Sequence, residues 1–222
     1  KEFFFLHPQP RRSAALAVLR APDVPSVQLA EALTRHMQGW PATRLVTSAH
    51  VDSLFPWLPD GRGAAQTPLD GSDADNRLRQ WLAGLEASHE YVLYAADNDH
   101  DPWSLRCLRQ ADRILILAEA GSAPDDVPVL EALQASGLKA PVELVLLRPE
   151  GDTSPHTLDW CRSTGARAHF FVHPWAPADI ASLARQISGR GIGLASLADY
   201  ERCRVREQFC AIQHHRASES ES

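Results

Sequence analysis

Several things this chain has little of narrow its class before any motif is read. Its four cysteines, Cys107, Cys161, Cys203 and Cys210, never fall in a C-x-x-C spacing. That excludes a zinc ribbon or a thioredoxin-type redox pair. The cysteines are expected to act as small hydrophobes in a reduced, cytoplasmic compartment. Positive charge is scarce: 22 Lys and Arg face 28 Asp and Glu, a formal net charge of −6. No nucleic-acid partner is expected from that balance. No apolar run approaches the roughly 20 residues that cross a bilayer, so no membrane span is expected. Phe3-Phe4-Phe5-Leu6 is too short for a signal-peptide core, and Lys1 is not an initiator methionine. The chain therefore reads as an internal piece of a longer protein.

The motifs of phosphate and ester chemistry are also missing. A phosphate loop needs G-x-x-x-x-G-K-[ST], because glycines let backbone amides cradle phosphate while the lysine supplies countercharge. Here the first strand is followed by Arg20-Ala21-Pro22-Asp23-Val24-Pro25-Ser26. Two prolines remove amide donors and Asp23 repels phosphate, so ATP hydrolysis at this turn is not expected. Gly189-Arg190-Gly191-Ile192-Gly193 follows a helical segment and is not G-x-G-x-x-G, so it fails as a dinucleotide fingerprint. No G-x-S-x-G elbow occurs, and no serine is marked as a nucleophile. His169 and His173 are four apart, a spacing that chelates zinc on a helix. In a strand the same spacing spans about 13 Å, so structural histidines are expected.

What is present is alternation. Hydrophobic residues make up 44% of 222 residues, enough for one substantial core. Strand-length apolar runs fall at 14–20, 43–47, 91–96, 114–118, 142–147 and 166–172. Helical spacing appears at 27–37, at 73–87 with Leu78, Trp81, Leu82 and Leu85 on one face, and from Pro102 with Trp103, Leu105 and Leu108 inward. Further helices are expected at 127–136, 157–163 and 180–187. Residues 51–75, rich in Pro, Gly and Asp, read as a long irregular excursion. The alternation predicts a three-layer α/β domain: a mostly parallel sheet with helices on both faces. Residues 1–12 read as a linker, 13–194 as the domain and 195–222 as a charged helical or disordered tail.

The chemistry-bearing stretch follows the third strand: Asp97-Asn98-Asp99-His100-Asp101. Ligands of parallel α/β sheets sit at the carboxyl ends of strands. Clustered carboxylates suit a hard cation, which makes Asp97 and Asp99 the candidate metal ligands and Asp97 the candidate nucleotide-site residue. The competing reading is an acidic turn capping the helix that starts at Pro102. A calcium loop is disfavoured, since Cys107 and Leu108 stand near where its closing glutamate belongs.

Trp81-Leu82-Ala83-Gly84-Leu85-Glu86, Tyr91-Val92-Leu93-Tyr94-Ala95-Ala96-Asp97, Pro102-Trp103, Arg106-Cys107 and Arg109-Gln110-Ala111-Asp112-Arg113-Ile114-Leu115 resemble one family. It is the neuropathy-target-esterase branch of the patatin-like phospholipases. Glu143-Leu144-Val145-Leu146-Leu147, Leu183-Ala184-Arg185 and Gly189-Arg190 look like the same family, so the resemblance covers roughly residues 14–194. It implies a degenerate P-loop NTPase (Rossmann-like) domain between cyclic-nucleotide-binding domains and a patatin domain, which would be its partners. The resemblance also implies a parent that hydrolyses lysophospholipids and esters with a Ser–Asp dyad and that can associate with membranes. After Leu194 the chain departs from the family pattern, with no glycine-rich oxyanion loop, elbow serine or D-G-G/A. No catalytic residue carries over and no cofactor is expected. The tail reads as a truncation or an altered frame. Two functions are thus expected to compete: a non-catalytic scaffold or regulatory domain, and a residual nucleotide-binding module using Asp97 with Mg²⁺.

Overall fold

The computed structural model of the protein describes residues 14–20, 24, 26–37, 43–55, 63–97, 101–124, 137, 140–148, 155–173 and 176–188. Six strands are described: β1 (Ala14–Arg20), β2 (Thr43–Val46), β3 (Tyr91–Ala95), β4 (Arg113–Glu119), β5 (Val142–Leu147) and β6 (Ala168–Val172). They form one sheet in the order β2-β3-β1-β4-β5-β6. Every pairing is parallel. The helices are α1 (Ser26–Met37), α2 (Ser48–Leu54), α3 (Asp73–Ser88), α4 (Pro102–Gln110), α5 (Thr157–Thr164) and α6 (Pro177–Ser188), with a 3-10 turn at Ala64–Gln66.

The strand order dictates the layers. From β1 the chain steps toward β2, whereas every later step runs the other way. Right-handed crossovers therefore put α1 on one face and the α2, α3, α4 and α5 connections on the other. The core residues agree. Alternate strand residues Ala17, Val92, Tyr94, Ile114, Ile116, Leu144 and Leu146 cluster with Leu78 and Leu82 of α3, Trp103, Cys107 and Leu108 of α4, and Trp160 of α5. On α1, Leu29, Ala30, Leu33 and Met37 are buried at helical spacing, and that helix packs on β1, β2 and β3. The three-layer α/β expectation is met. Strands β3, β4 and β5 are buried almost throughout, as a sheet covered on both faces requires.

Two differences from the sequence expectations stand out. The excursion over 51–75 carries regular structure: α2 runs into it and a 3-10 turn lies within it. Thr47 nucleates α2 by accepting from the His50 amide at 3.1 Å, and Asp52 caps the 3-10 turn by accepting from the Ala65 amide at 2.8 Å. Short polar caps of this kind replace the apolar periodicity that marks longer helices. On α4, Leu105 is only half-buried while Arg106 and Cys107 point inward with Trp103 and Leu108. The helix expected at 127–136, the linker 1–12 and the tail 195–222 lie outside the described residues.

The chain divides into two units, Lys1–Ile180 and Ala181–Ser222. The described part of the second is the carboxyl-terminal portion of α6.

Candidate functional site at the carboxyl ends of the central strands

β1 lies between β3 and β4, and α1 leaves from its carboxyl end. Ser26 opens α1 and is buried. Its hydroxyl donates to the Ala96 carbonyl just past β3, at 3.1 Å. The Ala96 amide in turn donates to the Val18 carbonyl of β1, at 3.1 Å. The end of β3 is therefore held from both sides. One residue earlier, the Ala95 carbonyl accepts from Trp103 Nε1 at 2.8 Å, which anchors the fully buried Trp103 and with it α4.

Asp97, half-buried, follows directly. Asp99, Asn98 and His100 lie outside the described residues. Asp101 is the N-cap of α4: its Oδ1 accepts from the Ser104 amide at 2.6 Å, and Pro102 takes the first helical position. The capping role weighed against a cation site is thus filled by Asp101. Among the described residues no group of three His, Cys, Asp or Glu side chains is placed to hold a metal ion. A magnesium ion at this edge would draw on hydroxyl and carboxylate oxygens. Ser26 is engaged with Ala96 and Asp101 with α4, and Asp97 stands at the end of β3.

Behind this edge sits a charged core that no sequence motif announces. Arg106 Nη1 donates to Asp75 Oδ1 at 2.7 Å, and its Nη2 donates to the Thr67 carbonyl at 3.0 Å. Asp75 Oδ2 also accepts from the Gly71 amide at 2.9 Å. Burial works to raise the Asp75 pKa, but the Arg106 bond, the Gly71 amide and the Arg106 and Arg79 charges outweigh it and hold the carboxyl below its ordinary range. Cys107 beside it is pushed up by burial and by the Asp97 and Asp101 charges, so its thiol stays protonated and unreactive. Among the described residues at this edge there is no lysine, and the buried Cys107 thiol is no nucleophile.

The two histidines do not meet. His169 lies within β6, with Nδ1 at 3.8 Å from Cys161 Sγ, while His173 follows β6 and bonds Asp179.

A family model described as the Neuropathy Target Esterase family P-loop like domain matches residues 65–193. The chain belongs to the neuropathy target esterase family. Rat patatin-like phospholipase domain-containing protein 7 is 31% identical over 155 residues, which cover 69% of this chain and 11% of that protein. Human patatin-like phospholipase domain-containing protein 6 is 41% identical over 85 residues, 38% of this chain and 6% of that protein. This neuropathy target esterase family domain thus spans a small fraction of the length of these relatives. Among solved structures, the MinC:MinD cell division protein complex of Aquifex aeolicus is similar with a TM-score of 0.55 at 13% identity, covering 81% of this chain and 98% of that one. That likeness is one of fold. The family description meets the expectation of a P-loop-like α/β domain. No helix among the described residues is long and apolar enough to cross a membrane.

Proposed function

We propose that this domain is a non-catalytic scaffold or regulatory domain of a patatin-like serine esterase or lysophospholipase. In this reading it links cyclic-nucleotide-binding and patatin domains of a cytoplasmic, membrane-associating parent and turns over no substrate itself. The observation that supports it best is the Ser26–Ala96 bond. Where a working P-loop presents a lysine and a metal-binding hydroxyl, this chain has a buried serine whose hydroxyl is spent holding the end of β3. The preceding turn carries Pro22, Asp23 and Pro25 and no glycine. The use of such a domain is then its shape, a rigid sheet that fixes the spacing of its neighbours.

The test is calorimetric titration of the purified chain with ATP, ADP and GTP, each with and without Mg²⁺. The expected result is no heat beyond dilution from a folded sample. A second reading, a residual nucleotide-binding module, draws on Asp97 standing at the carboxyl end of β3 beside β1. Metal-dependent binding that disappears in Asp97→Ala would replace the scaffold reading with that one.

A further inference from the structure

Arg148 follows β5 and His173 follows β6, each one step beyond the last registered pair, Leu147 and Val172. The Arg148 amide donates to the Val172 carbonyl at 3.0 Å, which keeps the two residues side by side at the carboxyl end of the sheet. The Arg148 guanidinium lies 4.5 Å from the Phe171 ring centroid, a cation–π contact that orients it without neutralising it. Among the described residues no carboxylate forms an ion pair with it. His173 is anchored twice: its amide and its Nδ1 both lie 2.9 Å from Asp179 Oδ2 in the first turn of α6. The carboxylate accepts from Nδ1–H, so Nε2 is left as the working nitrogen, and the His173 side chain is 41% exposed. Burial works to raise the Asp179 pKa, but the His173 bonds and the His173 and Arg148 charges hold its carboxyl below the ordinary range.

We propose that Arg148 and His173 form a binding site for a phosphate group at the carboxyl ends of β5 and β6, with Asp179 as the positioning residue. A guanidinium held over a ring presents a fork of donors, and the imidazole Nε2 meets the same group from the neighbouring strand, able to accept from a phosphate O–H. A donor fork and an acceptor arriving from two strands suit a tetrahedral phosphate bearing both O⁻ and O–H better than a planar carboxylate, whose two oxygens one guanidinium satisfies. Asp179 holds Nδ1–H and so fixes Nε2 as the nitrogen left for the ligand. The site is separate from the first βα turn and does not depend on the scaffold reading.

The test is an NMR titration of the whole chain with inorganic phosphate, following the His173 imidazole resonances, assigned by their loss in H173Q. A saturable shift is expected. R148Q should weaken apparent affinity about tenfold or more through loss of a charge-assisted donor pair, with R148K intermediate because it keeps charge but not the fork. Unfolding midpoints of both variants should show a folded chain under the titration conditions, with R148Q lowered slightly by loss of the Phe171 contact and of the charge near Asp179. A linear, unsaturable shift, or an R148Q affinity equal to the parent's, would overturn the proposal. So would acetate binding as tightly as phosphate. Co-sedimentation with phosphatidic acid vesicles, absent in R148Q, would assign the phosphate to a lipid headgroup; glycerol phosphate binding with vesicles ignored would assign it to a soluble ester. A nucleotide bound through this cluster would be lost in R148Q and retained in Asp97→Ala, the reverse of the residual P-loop reading.

Discussion

Arg106 of α4 and Asp75 of α3 form an ion pair at 2.7 Å with their side chains 2% and 4% exposed. The pair joins the two helices that flank β3 in sequence, and Arg106 reaches further to the Thr67 carbonyl after the 3-10 turn. One buried guanidinium therefore pins the excursion to the helix that starts at the carboxyl end of β3. Gln66 of the same excursion also reaches α4, its amide nitrogen 3.5 Å from Asp101 Oδ2.

Removing one partner leaves the other charged and buried without its nearest countercharge. Arg106→Met or Asp75→Asn is expected to lower stability by about 3–5 kcal/mol. The double substitution should recover part of that loss, because it removes both charges together. Urea denaturation of the two single variants and the double variant measures the coupling; additive losses would show that the pair does not act as a unit.

The same carboxylate sets an acid limit. Asp75 has its folded pKa depressed below its unfolded value, so its contribution is present above the unfolded pKa and lost as pH falls through the folded one. Asp179 has the same sign: burial opposes it, and bonds from His173 with the His173 and Arg148 charges prevail. Stability is expected to fall below about pH 4, the unfolded carboxylate range. Asp75→Asn, though less stable throughout, should show a shallower acid slope in denaturation midpoints measured from neutral to acid pH.

Glu86 has the opposite sign. Burial raises its pKa, the Tyr94 hydroxyl at 2.7 Å lowers it, and Asp112 raises it. An acid with a raised folded pKa loses stabilisation as pH climbs from the unfolded pKa through the folded one. Glu86→Gln keeps an oxygen to accept from Tyr94 and carries no charge, so it should match or exceed the parent's stability at pH 7 and lose any advantage near pH 4. Thermal melts at the two pH values decide it.

Ser26→Ala removes the hydroxyl that bonds the Ala96 carbonyl and leaves that carbonyl with one partner fewer. A loss of about 1–2 kcal/mol is expected by chemical denaturation. In the scaffold reading the nucleotide titration stays flat in this variant; nucleotide binding that appears or changes would point instead to a site at this turn.

Much of the fold could be read from local pattern. The registers of β3, β4 and β5 are apolar runs bounded by polar residues, and Pro102 with Asp101 before it marks the start of α4 in two residues. The candidate site was legible only in part. Its expected position after β3 follows from alternation, and the lack of glycine and lysine in the first turn is read directly from Arg20 to Ser26. Ser26 gave no signal, because a serine opening a helix reads as a cap until a carbonyl 70 residues away is seen to accept its proton. Arg106 reads as the solvent face of an amphipathic helix, since nothing near it in sequence reveals an acid 31 residues earlier. Arg148 and His173 sit at two strand ends 25 residues apart, and each alone looks like an ordinary exposed polar residue.

The sequence by itself determined most of the elements and the parallel α/β class, and it carries no G-x-x-x-x-G-K-[ST] or G-x-S-x-G motif, because these depend on periodicity and on residue types within a few positions of one another. The tertiary structure alone decided which polar side chains meet: Ser26 with Ala96, Arg106 with Asp75, Arg148 beside His173. Those meetings are set by strand order and register, in which crossovers bring distant segments to one sheet edge. Burial in a low-dielectric interior then leaves each polar group dependent on the partner it finds there.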